Sequence, residues 1–172
     1  MYVDLSKSKE ELWKNIRKSY KSLINKGERE FEIRSEFNNE IWDKCKLFHL
    51  RISGKKTRSD QTWEIQKNLI QKGKARLYYI MEGDYLLGFS LITLGKSISS
   101  YSIGVYDRNK FSKFSISHTL IWNAILQLKN SNYKFLHLGT FTPEEHLKDQ
   151  KLYNINLFKM GFSNFLKTNQ YI

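Results

Sequence analysis

At 172 residues, with 40% hydrophobic and 15% aromatic side chains, the chain can bury a substantial core as one domain spanning residues 1–172, and it is too apolar to be disordered. No run approaches the ~18 consecutive apolar residues of a membrane span, and Met1 to Asp4 leads into a charged helix without a signal-peptide apolar region, so a cytoplasmic address is expected. The single cysteine, Cys45, excludes an internal disulfide, while 29 Lys and Arg against 17 Asp and Glu, a net charge of +12, imply an anionic partner.

CoA, a nucleotide-sugar, tRNA and an anionic membrane surface all fit that charge. The basic residues are spread along the chain, which a lysine-rich composition without functional meaning gives equally well.

Ser6 to Lys26 reads as one helix, with Ser8 and Glu11 in capping-box relation and apolar residues at Leu12, Trp13, Ile16, Tyr20, Leu23 and Ile24. Gly27 is expected to end it, and Lys9, Lys14, Arg17, Lys18 and Lys21 lie on the opposite face. Phe31 to Phe37 alternates as a strand does. Ile41, Trp42, Cys45, Phe48, His49 and Ile52 keep helical spacing, and the charged loop SGKKTRSD follows. Asp60 is placed to cap a helix running to Gln71, with Trp63, Ile65, Leu69 and Ile70 on its apolar side.

Three strands follow in close succession, Ala75 to Met81, Tyr85 to Leu94 and Ile98 to Tyr106, separated by Gly83-Asp84 and Gly95-Lys96 turn signals. They predict an antiparallel meander. Phe114 to Leu128 reads as a largely apolar helix and Lys134 to Gly139 as a short buried strand. Thr142-Pro143-Glu144-Glu145 is a helix start, with a cap, a first-turn proline and early acids. The closing stretch KLYNINLFKMGF, Lys151 to Phe162, is a helix expected to stop at Gly161 in the left-handed conformation and to turn into a final apolar strand.

There is no G-x-x-x-x-G-K-[ST] loop, no G-x-S-x-G elbow, no H-E-x-x-H and no spaced Cys/His set, so no metal is expected. The histidines His49, His118, His137 and His146 are the natural bases near neutral pH, and each could equally be a packing or solvent-exposed residue. His49 shares a helix face with Trp42 and Cys45 just before the KKTR loop. Asp107, at the end of the third meander strand, is a carboxylate candidate or a helix cap.

The element order after the first helix is that of the GNAT fold. FHLRISGKKTRSDQTW (Phe48 to Trp63) resembles a segment of FemAB-like proteins from envelope-polysaccharide gene sets. DLSKSKEELWKNIRKSYKSLINKG (Asp4 to Gly27) is similar to the helix opening the second half of such proteins, and NINLFKMGF (Asn154 to Phe162) to their closing element.

The resemblance implies an α/β (α+β) fold with a mixed central sheet, an antiparallel meander, a split between central strands, flanking helices and an extra N-terminal helix (1–27). It also implies transfer of an acyl group, acetyl from acetyl-CoA or another acyl-CoA, to an amine or hydroxyl of an amino-sugar precursor of a surface polysaccharide. The alternatives are aminoacyl transfer from charged tRNA and a non-catalytic anion-binding module. FemAB proteins usually contain two GNAT-like halves; a chain of this length either acts alone or pairs as a homodimer.

His49, contained in the resembling segment, is the first catalytic candidate; Asp107 is the carboxylate candidate, and Tyr153, five residues before Phe158, is the nearest phenol or a packing aromatic. Lys55, Lys56 and Arg58 would hold an anionic acceptor such as a nucleotide-linked amino sugar, or form no more than a charged loop; Trp63 would stack on a ring, and His137 and Thr140 would flank the split. GNAT enzymes bind the CoA pyrophosphate in a glycine-rich loop at a helix N-terminus. Here that connection, DRNKFSKFSIS (Asp107 to Ser117), has no glycine; either Arg108, Lys110, Ser112, Lys113 and Ser115 supply side-chain donors instead, or it is a basic loop that holds no ligand. Phe158 stands where many GNAT enzymes carry an acidic tyrosine, which leaves Lys159 to face the donor as a point charge.

Overall fold

In the computed structural model, residues 1–107, 116–142 and 150–166 are described. The chain opens on a three-residue strand, β1 (Tyr2–Asp4), which carries no periodic signal and which the sequence reading passes over. The expected first helix is two helices, α1 (Lys9–Asn15) and α2 (Lys18–Glu30). The capping box of Ser8 and Glu11 starts α1 as read. The break falls at Ile16, which is extended, because the Arg17 N–H leaves the helix ladder for the Gly161 carbonyl, 2.9 Å away. Gly27 does not end α2 but lies buried within it, where a Cβ would overlap the Thr119 hydroxyl; it lets α2 pack close on the long apolar helix.

Of the strand expected at Phe31 to Phe37, only β2 (Ile33–Arg34) forms. Helix α3 (Asn39–Ser53) is capped by the Asn38 side chain and closed by Gly54 at φ 68°. Helix α4 (Asp60–Gln71) is capped by Ser59, whose hydroxyl accepts the Thr62 N–H, rather than by Asp60. The meander β3 (Ala75–Glu82), β4 (Tyr85–Leu94) and β5 (Ile98–Tyr106) matches the reading closely. Helix α5 (Ile116–Asn130), strand β6 (Phe135–His137) and helix α6 (Gln150–Met160) complete the order. The helix start expected at Pro143 to Glu145 lies outside the described residues.

The six strands form one mixed sheet in the order β1-β6-β5-β4-β3-β2, antiparallel throughout except where β5 meets β6. Two apolar layers cover its faces. On one face α1, α2 and α5 pack through Leu12, Ile24, Leu120, Ile121 and Ile125 against Ile80, Leu87 and Ile92. On the other, α3 and α4 bring Trp42, Cys45, Phe48 and Trp63 onto Leu77, Phe89, Leu91 and Ile103. Cys45 sits fully buried there, and burial pushes its thiol well above the ordinary range, so it serves as an apolar residue.

Gly161 is buried but does not adopt a left-handed φ; its lack of a side chain makes room for Tyr20, whose Cε2 a Cβ would overlap. After it the chain does not enter a strand among the described residues. It returns to β1 through a single bridge between Tyr2 and Phe165.

Candidate active site

Strand β5 pairs with β6 only at its first three residues, Ile98, Ser99 and Ser100. From Tyr101 to Tyr106 that edge has no β6 partner, and it lines a cleft of ≈960 Å³. The cleft is lined by His49, Arg51 and Arg58 from the α3 side, by Tyr101 through Asp107 along β5, and by Ile155, Phe158 and Lys159 of α6. Ile103 and Val105 belong to the apolar layer under α3 and α4, whereas Tyr101, Tyr106 and Phe158 pack on the opposite layer. The opening therefore passes through the sheet, and two reactants can meet in it from opposite faces.

On the α3 face His49 is 9% exposed, boxed edge-on against Trp63 at 5.3 Å, with Nε2 3.5 Å from the Thr57 hydroxyl. Burial, and then the Arg58 charge, lower its pKa, which keeps the imidazole neutral near pH 7 and able to take a proton. Arg58 reaches into the same space and donates from Nη2 to the Ser102 carbonyl at 3.2 Å. Its Nε is buried with no partner, and it makes no ion pair among the described residues. A half-buried guanidinium in that state has unused capacity for an anion.

Asp107 closes one end of the cleft. Its Oδ2 accepts a 2.6 Å bond from the Tyr85 hydroxyl, and the Arg51 Nη2, 4.0 Å away, also donates to Tyr85 at 2.8 Å while its guanidinium lies over the Phe48 and Tyr85 rings. On the other face Lys159 enters from α6, and burial lowers its pKa. Gly139, at φ 115°, leaves room for it: a Cβ there would stand 2.6 Å from Nζ.

The structure thus brings together His49, Arg58, Asp107 and Lys159 of the residues singled out from sequence. Others lie elsewhere. Trp63 is 4% exposed in the core and offers no face to a ligand; it supports His49 instead. Lys56 turns away to Asp60 at 2.7 Å, and Lys55 is exposed outside the cleft lining. Tyr153 occupies a different face of α6 from Ile155, Phe158 and Lys159 and does not line the cleft. His137, in β6, packs against Tyr2 with ring centroids 4.8 Å apart and the rings tilted, and Thr140 is exposed beyond it. Arg108, Lys110, Ser112, Lys113, Ser115 and His146 lie outside the described residues. His118 sits behind the site in a box of Tyr20, Phe158 and Phe162, where burial and the Arg17 charge lower its pKa to about 4.

Three contributors escape the sequence reading: Arg51, Tyr85 and Tyr101. The first two are far apart in sequence and meet only across the sheet. Tyr101 is hidden by a bulge, since Ile92 pairs with Tyr101 and Leu91 with Ile103, leaving Ser102 as the extra residue and shifting the strand alternation.

No protein-family model matches this chain, and no curated protein does. Among solved structures it superposes on FemX with a TM-score of 0.76 at 14% identity, covering 94% of this chain and 57% of FemX. The fold is the FemAB-like GNAT fold. L-PGS from Bacillus licheniformis gives 0.63 at 16% identity over 94% of this chain and 55% of L-PGS. AAC(6')-Iy, in complex with the bisubstrate analog CoA-S-monomethyl-acetylneamine, gives 0.57 at 12% identity over 83% and 97%. This chain therefore spans little more than half the length of FemX and L-PGS and most of the length of AAC(6')-Iy. Among the described residues no helix is long and apolar enough to cross a membrane, and no group of three or more His, Cys, Asp or Glu side chains could hold a metal ion.

Proposed function

We propose that this chain is an acyltransferase that moves an acyl group from a CoA thioester to an amine or hydroxyl of an anionic acceptor, such as a nucleotide-linked amino sugar of a surface-polysaccharide precursor. The observation that carries the reading is the cleft through the sheet, with a neutral histidine beside an unpaired Arg58 on one face and a half-buried lysine on the other. The acceptor enters from the α3 face with its anionic group on Arg58. His49 then removes the proton from the attacking nitrogen or oxygen. The donor enters from the α6 face, where Lys159 sits as a fixed positive charge for the developing oxyanion or for a donor phosphate. Solved structures of the same fold include one holding a CoA-based bisubstrate analog.

A second reading replaces the thioester by an aminoacyl ester of tRNA. The glycine-free connection after β5 and Phe158 favour it, and the net charge of +12 suits a polyanionic donor. Isothermal titration separates the two: acetyl-CoA should bind in the micromolar to millimolar range, and no detectable binding at millimolar ligand overturns the CoA version.

A further inference from the structure

Phe158 leaves the cleft without the phenol that the resemblance leads one to expect on α6, yet a phenol is present on the strand. Tyr101 stands where β5 leaves β6, at the fork of the split. The bulge at Ser102 turns its ring onto the same apolar layer as Tyr106 and Phe158. The ring lies along β5 across Gly104, where a Cβ would overlap the Tyr101 hydroxyl and come within 2.5 Å of Cζ. Gly104 has a negative φ, so its role is to leave room for that ring. The hydroxyl is thereby fixed on the cleft floor, and it makes no hydrogen bond among the described residues. A phenol oriented into a reaction cleft with its donor capacity unspent differs from Tyr85, whose hydroxyl is committed to Asp107.

We propose that the Tyr101 hydroxyl is the proton donor to the group that leaves the acyl donor; this rests on the acyl-transfer reading above. The acceptor nitrogen or oxygen bonds to the acyl carbon as the bond from that carbon to the leaving sulfur, or to oxygen in an ester, breaks. The nucleophile's proton passes to His49, the Tyr101 proton passes to the departing atom, and solvent water reprotonates the phenolate while accepting the histidine's proton. Burial raises the Tyr101 pKa, so the phenol stays protonated across the neutral range.

The test is Tyr101→Phe, which keeps the ring over Gly104 and removes only the hydroxyl. With an alkyl thioester, kcat should fall about tenfold or more with KM little changed. With aryl thioesters, whose thiols leave without help, the loss should shrink. That dependence on the leaving group is a signature a packing role would not give. Gly104→Ala, which displaces the hydroxyl, should reproduce the pattern with Tyr101 intact. Full activity in Tyr101→Phe, or an equal loss for every leaving group, overturns the proposal and leaves the acyl-transfer reading standing. A wild-type protein that transfers nothing from thioester or aminoacyl ester overturns that reading, and the proposal with it.

Discussion

Gly161→Ala probes how the end of α6 is held, and hence how Phe158 and Lys159 are presented to the cleft. Gly161 has a φ open to any residue, so alanine there restricts the unfolded chain and by itself stabilises by about 0.4–1 kcal/mol. Against this, the new Cβ would overlap Tyr20 Cε2 and lie 2.7 Å from Cζ. Tyr20 is buried and walled by His118 at 4.3 Å, Phe162 at 5.3 Å and Phe158 at 6.0 Å, so the ring has nowhere to swing. Overpacking of this kind costs about 1–3 kcal/mol, leaving a net loss of roughly 0.5–2 kcal/mol. For a domain of this size that lowers Tm by roughly 1–8 °C. Denaturant and thermal unfolding measure it, and Tyr20→Leu supplies the control. In the Tyr20→Leu background, which lacks the clashing carbon, Gly161→Ala should become neutral or stabilising. An equal loss in both backgrounds would show that the glycine is needed for its backbone conformation, and would refute the packing argument.

Other expectations follow from the buried histidines. His118 titrates at about 4 in the fold and near the ordinary value of about 6.5 when unfolded, so the unfolded chain binds the extra proton between those values. Stability should be fully present above about pH 6.5 and fall by up to roughly 3 kcal/mol as pH drops towards 4. Denaturant titrations of His118→Phe should show that slope flattened. In the pH profile of kcat/KM, the acid limb should lie below the ordinary histidine value, because His49 must be neutral to act. Arg58→Ala removes one cause of that depression and should move the limb upward while raising KM for an anionic acceptor. A limb that stays in place would remove His49 from the role of base.

Much of the fold is legible because its signals are local. Turn residues bracket β3, β4 and β5, and periodic apolar residues mark α3, α4 and α5, so their bounds lie within a residue or two of the reading. Where tertiary contacts decide, the reading departs. The break between α1 and α2 depends on the Gly161 carbonyl, and Gly27 and Gly161 are shaped by Thr119 and Tyr20 rather than by their own helix ends. Strand β1 is three residues long and owes its existence to pairing with β6. The site divides in the same way. His49, Arg58 and Lys159 could be picked by residue type near a resembling segment. Trp63 and Lys56 could not be told from cleft residues, because local spacing does not show that one is covered by α3 and the other drawn to Asp60. Tyr101 was hidden for a geometric reason, the extra residue at Ser102.

Transfer itself is the most direct test of the central claim. Purified protein would be incubated with acyl-CoA or charged tRNA and a panel of UDP- and CMP-linked amino sugars, and products read by mass spectrometry beside His49→Ala. The account predicts an acylated anionic acceptor, formed about tenfold or more slowly by the variant with its fold intact. No product from any donor, or equal turnover by wild type and His49→Ala, would contradict it.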